Sequence, residues 1–277
     1  MEEDNMATKL AILLVYLAVL IGISAYAAKR QKKMVEENDE DSFALAGRQL
    51  GPLMIAMTIT GSAIGGAATV GTAQNAFSHG ISAGFYTVGW ACSALLMSLI
   101  ASKKVRKIRC TNVADQFGMK YGKKFTLAVA CVMSIAVTMN CANQTVSSGS
   151  LLTGLMPGVL NIKTCMIISA FLFFVIAMLG GLFGGAACNI INVIVIYIGL
   201  VIACIFAVKC NGGIETINKN LAAVSTPEQP MSQWWNLVSG VGAGGIVFWL
   251  VNFMTGCCNT DIMVQSTSSA KSSKIAK

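Results

Sequence analysis

The chain has 277 residues, 55% of them apolar and only 12% charged, with a mean hydropathy of +0.68 and a formal charge of +8. A soluble domain carries roughly 25% charged residues, so this composition excludes a soluble enzyme and points to a multi-spanning membrane protein. The apolar residues run in continuous stretches rather than alternating, which selects helices over a transmembrane barrel. Ten cysteines are scattered singly apart from Cys257-Cys258, without CxxC spacing, and read as free thiols rather than a disulfide framework or metal site. The one histidine, His79, falls at an expected helix end and gives no metal cluster.

The acidic start precedes a first span, Leu10 to Ala28, long enough for about 30 Å of hydrocarbon at about 1.5 Å per residue. It lacks the basic leader and small-residue cleavage site of a signal peptide, so it reads as a retained helix. Lys29, Arg30, Lys32 and Lys33 follow, then an acidic linker at 36–41. The second span, Leu50 to Phe77, carries Gly61, Gly65, Gly66 and Gly71 interleaved with Thr60, Ser62, Thr69 and Thr72. An interior glycine costs about 1 kcal/mol relative to alanine, so this helix is weak at bilayer depth. Non-helical backbone is tolerated there only where it is buried in protein or lines a cavity. Interrupted helices of this kind hold ion and substrate in secondary transporters; close packing by small residues is the alternative.

The third span, Ile81 to Ser102, ends in the basic run 103–109, and a short surface helix is expected within 111–122. The fourth, Phe125 to Leu155, places Asn140, Asn143, Gln144, Ser147 and Ser148 on one helical face. Amides facing lipid cost several kcal/mol each, so that face looks into protein or water, as interhelical hydrogen bonding or as cavity lining. Asn143-Gln144-Thr145 also spells a glycosylation sequon, at a depth that makes glycosylation improbable. After the Pro157-Gly158 turn, a fifth span covers Ile162 to Leu179 and a sixth Ala186 to Val208, with Gly180-Gly181 and Gly184-Gly185 as a tight connection. The seventh runs from near Trp234 to around Cys257 and is interrupted at Gly240–Gly245 and Thr255-Gly256. Asn189 and Asn192 open the sixth span; Asp261 and Gln265 follow the seventh. Asp261 reads either as a gate or ion ligand or as a solvated residue at a helix end. Sixteen of the twenty Lys and Arg fall on one side of this seven-span arrangement, which puts the amino terminus outside and residue 277 in the cytoplasm. There is no nucleophile elbow, phosphate loop or HExxH motif.

Several motifs, in their order and spacing, resemble the sodium:solute symporter family (solute carrier family 5-like) over nearly the whole chain from Ser42 onward. They are Leu45-Ala-Gly-Arg48, Gly51-Pro52, the glycine-rich span closing on His79-Gly80-Ile81-Ser82, Gly180-Gly181-Leu182, and Gln265 with Ala270-Lys271-Ser272. The resemblance implies an all-α integral membrane protein with a LeuT-type core of two inverted five-helix repeats behind one extra helix. On that frame residues 1–41 are the extracellular N-terminus, extra helix and cytoplasmic linker. Residues 42–277 are a partial core, the first repeat plus the first helix of the second, about seven transmembrane helices in all.

The resemblance further implies sodium-coupled import of a small organic solute at the plasma membrane by alternating access. No enzyme activity, nucleic acid or cofactor is implied; the partners are solute, lipid bilayer and Na+ as coupling ion. Sodium would be held partly by the backbone carbonyls of Gly61 and Ile64, with hydroxyl ligands from a core helix eight that the chain does not contain. Thr60, Ser62, Thr69, Asn140, Asn143, Gln144 and Thr255 are the substrate-cavity candidates, and Asn189, Asp261 and Gln265 the cytoplasmic gate candidates. The chain departs from the family pattern at Cys188-Asn189, where many members have Thr-Asp, and at Ser266, where the family has Arg. It ends four core helices short, so a fragment that does not transport alone is expected. A solute-sensing membrane domain of a signalling protein, and a proton-coupled or uncoupled carrier of the same fold, are the alternatives.

Overall fold

The computed structural model describes residues 2–37, 42–108, 110–226 and 230–276, and among them every regular element is a helix. The first, α1 (Glu2–Glu37), overruns the expected span at both ends. Its flanks are rich in Lys, Arg, Gln and Glu, which cost a helix little, so the helix takes in Glu36 and Glu37, the first two residues of the expected linker. Residues 38–41, with the boundary between 41 and 42, lie outside the described residues, as does residue 277. A short α2 (Ser42–Leu45) then turns through Ala46, Gly47 and Arg48 at φ 51°, 58° and 55°.

Pro52 starts α3 (Pro52–Ala63), a first-turn position where its missing N–H costs nothing. The helix stops at Ile64 (φ −90°, ψ 68°), inside the glycine-rich stretch. It resumes as a π-helical turn, Ala67–Gly71, and α4 (Thr72–His79). The third span is α5 (Phe85–Leu96), a π-turn at Met97–Ala101 and α6 (Ser102–Ile108). The expected surface helix is α7 (Val113–Tyr121), capped by Asn112, whose Oδ1 accepts from the Asp115 N–H at 2.8 Å. Beside it, burial and then the Asp115 carboxylate push the Cys110 thiol up. The fourth span is α8 (Lys123–Leu155).

The fifth and sixth spans are the two arms of α9 (Ile162–Cys210), which is interrupted at Gly181 (φ 50°, ψ −152°), within the expected Gly180-Gly181 connection. At about 1.5 Å per residue it far exceeds one bilayer thickness, so Gly181 divides it into two arms. Only glycine takes that backbone conformation without strain, whereas Gly184 and Gly185 stay helical and pack. The polar segment that follows carries α10 (Ile214–Val224) and α11 (Met231–Trp235).

One expectation is corrected: the seventh span begins at Gly242 rather than near Trp234, and a further helix continues it beyond Cys257. It consists of α12 (Gly242–Thr255), a turn at 256–260, and α13 (Asp261–Ser268). Met263, Val264, Ser266, Thr267 and Ser268 of α13 are all buried. The residues beyond Cys257 are thus the second half of a broken helix, held inside the protein. Its far end is fastened from three sides. Leu50 and Ala270 form a parallel bridge, the Arg106 Nε–H donates to the Ala270 carbonyl at 2.6 Å, and Arg48 donates to the Ser268 carbonyl at 3.2 Å. Basic donors at a helix C-terminus also complement its dipole.

Met6–Arg30, Ala68–Ile108, Lys123–Leu155 and Ile162–Cys210 are long and apolar enough to cross a membrane, while Pro52–Ala63 and Gly242–Thr255 are shorter apolar helices. Many large apolar side chains are exposed, and several small or hydroxyl residues are buried. Interior positions include Ser24, Ser82, Ser93, Ser102, Ala27 and Ala186, while Leu127, Ile135 and Met139 on α8 are more than 60% exposed. Small residues inside and large apolar residues outside are what close helix packing in lipid requires.

Candidate functional site

The break in α3 leaves the carbonyls of a helix end without intrahelical donors. The Ile64 N–H bonds the Thr60 carbonyl at 3.0 Å, and the Ala68 and Thr69 N–H groups both bond that of Gly65 at 3.1 Å. Among the described residues no backbone donor reaches the carbonyls of Gly61 or Ile64. On the far side of the break, the Gly66 N–H donates to Gln144 Oε1 of α8 at 2.5 Å, and Gln144 Nε2 reaches Asn140 Oδ1 at 3.4 Å. One amide from the polar face of α8 therefore caps the resumed helix.

The second break faces the first. Its turn carries Asn259 and Thr260 and leads into Asp261, whose Oδ1 accepts from the Val113 N–H at 2.9 Å. Asp261 is half-buried at the start of α13. Gln265, one turn on, donates from Nε2 to the Ala44 carbonyl at 2.7 Å.

Between the two breaks lies a cavity of about 540 Å³. Ser62, Ala63 and Gly65 from the first break, Asn140 and Gln144 from α8, and Asn259 to Ile262 with Gln265 from the second all line it. Tyr86 and Trp90 of α5 complete the wall, backed by Phe253 of α12, whose ring centroid is 5.1 Å from each. Asp261 is the one formally charged residue among those lining this cavity. A second cavity of about 610 Å³ lies along the broken span and is lined by Thr60, Ile64, Thr69, Thr72 and Tyr197; it shares Ala63, Ala68 and Trp90 with the first.

The structure gathers some of the sequence candidates and separates others. Ser62, Asn140, Gln144, Asp261 and Gln265 meet around the central cavity. Thr60 and Thr69 line the second cavity, and Thr69 donates to the Gly65 carbonyl at 3.0 Å. Asn143 lines a smaller polar recess with Gly66, Gly71 and Ser147. Asn189 packs against Gly61, one turn before the break. Thr255 lines none of these; it sits in an outer recess with Gly244 and Phe248. Tyr86 and Trp90 escaped the sequence reading because aromatics in an apolar span look like packing. Their i, i+4 spacing on one face was the available signal. Among the described residues, no group of three His, Cys, Asp or Glu assembles that could hold a metal ion.

Known proteins resemble this chain in sequence and in fold. A relative named High-affinity choline transporter 1 from Caenorhabditis elegans is 26% identical over 76% of this chain and 37% of its own length. The human High affinity choline transporter 1 is 26% identical over 72% of this chain and 34% of its own length. This chain thus spans little more than a third of these curated relatives. Among solved structures, that of a Na+-coupled sialic acid symporter in a substrate-bound outward-open state superposes with a TM-score of 0.75 at 16% identity. That match covers 97% of this chain and 54% of the other, and it establishes a shared fold. The family model described as Sodium:solute symporter family matches residues 43–277, and the chain belongs to that family.

Proposed function

We propose that this protein is part of a sodium-coupled symporter that moves a small organic cation across the plasma membrane by alternating access. One observation carries the reading: a single cavity touches both helix breaks, and its only charged lining residue is a carboxylate, Asp261. Helix-end carbonyls at Gly61 and Ile64 suit a small hard cation, as half-helix C-terminal ends do in secondary transporters. The faces of Tyr86 and Trp90 suit an organic cation, worth about 0.5–2 kcal/mol for each well-placed ring. The names of the choline-transporting relatives agree with that solute class.

Coupling follows from differential affinity. Sodium held at the first break favours the arrangement in which the cavity is assembled, and solute bound there favours sodium by the same factor. The two arms of α9, the two broken helices, α1, α5 with α6, and α8 account for seven crossings. In this reading the excess of Lys and Arg on one side supports an amino terminus outside.

The test is uptake by the full-length protein in proteoliposomes, with choline and a neutral sugar as solutes, under imposed sodium or proton gradients. The reading expects accumulation of choline, not the sugar, driven by sodium alone. Accumulation that follows the proton gradient instead would move coupling to a protonatable group, for which Asp261 is placed. Solute binding without net uptake under either gradient would favour a sensor.

A further inference from the structure

The extra first helix makes a polar connection to the first break. Tyr16 of α1 donates its hydroxyl to Asn192 Oδ1 at 2.6 Å. The Asn192 Nδ2 donates in turn to Asn189 Oδ1 at 3.5 Å. The Asn189 side chain lies flat against Gly61: a Cβ there would meet Asn189 Cγ at 2.7 Å and Oδ1 at 2.9 Å. Among the described residues, the Gly61 carbonyl is one of those left without a backbone donor at the break. The chain of contacts thus runs from a helix outside the expected core, through two amides on α9, to the backbone of the candidate ion site.

The directions of these hydrogen bonds are linked. A phenol hydroxyl donating to Asn192 requires its oxygen on that side, which turns its NH2 group toward Asn189. Asn189 must then present its oxygen as acceptor, and that oxygen is the polar atom nearest Gly61. Without the phenol, the Asn192 amide gains the freedom to flip, and Asn189 with it, exchanging a partial negative charge for an N–H2 group beside Gly61. A nearby oxygen dipole favours a bound cation and an N–H2 opposes it.

We propose that Tyr16, acting through Asn192 and Asn189, is a positioning residue for the sodium site at Gly61, which makes α1 part of the ion-binding machinery. The inference rests on the sodium reading above. The rest of the α1 interface supplies a control. Ser24 donates to the Ile176 carbonyl at 2.8 Å, in the same helix pair but without a path to Gly61.

The experiment measures the sodium dependence of solute uptake by the full-length protein in proteoliposomes for wild type, Tyr16→Phe, Asn192→Ala, the double variant and Ser24→Ala. Loss of this one part-buried hydrogen bond predicts that Tyr16→Phe raises the sodium concentration for half-maximal uptake by about three- to tenfold. Half-saturation by solute at saturating sodium should stay within about twofold, a split that general loosening of α1 does not produce. The double variant should match Asn192→Ala alone, because both substitutions cut one chain. Ser24→Ala should leave the sodium curve where it was. An unshifted curve for Tyr16→Phe, or an equal shift for Ser24→Ala, overturns the inference while leaving sodium coupling intact. Sodium-independent uptake by the wild type overturns both.

Discussion

The two broken helices use the same device with opposite polarity. At the first break, α3 ends toward the cavity and offers carbonyls, and its glycines let neighbouring side chains close in on the backbone. At the second, α13 begins at the cavity and would offer N–H groups, but Asp261 occupies that first turn. A helix N-terminus ordinarily attracts anions; a carboxylate there neutralises that preference and leaves the cavity suited to cations at both ends. Anchoring differs as well. The first break is braced by one amide, Gln144, whereas α13 is fastened at its far end by Arg48, Arg106 and the bridge to Leu50. The lightly held break is therefore the one expected to respond to ligand, and the fastened helix serves as its fixed wall.

Substitutions can break that contrast in order of expected effect. Gln144→Leu removes the partner of the Gly66 N–H and leaves a donor unpaired at the break, at a cost of about 1–3 kcal/mol. Thermal unfolding in detergent should show that loss, and solute affinity should fall tenfold or more; an unchanged affinity would mean that the first break is not part of the solute site. Trp90→Leu should weaken binding of a quaternary ammonium by about 3- to 30-fold, measured by competition against labelled solute. An equal loss for a neutral solute would point to shape rather than charge. Arg106→Gln removes the donor to the Ala270 carbonyl and should cost about 1 kcal/mol of stability with solute half-saturation little changed. A large change in solute affinity would show that the α13 wall moves during binding. Thr255→Val, in the outer recess, should leave stability and uptake within about 0.5 kcal/mol of wild type.

Much of this was legible in the residues. Hydropathy located the apolar helices, and the glycines between Thr60 and Thr72 marked the stretch where α3 gives way. The spacing of Asn140 and Gln144 put both on the cavity side of α8. What stayed hidden was hidden for physical reasons. Asp261 to Ser268 is polar and rich in Ser and Thr, so it reads as a surface tail. It is buried because Ala44, Arg48 and Arg106 bond its side chains and end carbonyls, partners distant in sequence. Four glycines between 180 and 185 looked equally suited to a turn; which one takes the left-handed conformation depends on how α1 packs, with Ser24 against Gly180 and Gly184. Thr255 shares its helix with cavity-backing Phe253 yet faces the other way, since residues two apart on a helix do not share a face.

The central claim, that the first break holds sodium, is tested most directly by equilibrium binding of radioactive sodium to the purified full-length protein, wild type beside Gly61→Val. A valine at 61 would collide with the Asn189 side chain and shift the carbonyl turn. The account predicts saturable, solute-enhanced sodium binding in the wild type and its loss in a Gly61→Val protein that still unfolds cooperatively. Equal sodium binding by the two proteins, with uptake equally indifferent to the substitution, would contradict it.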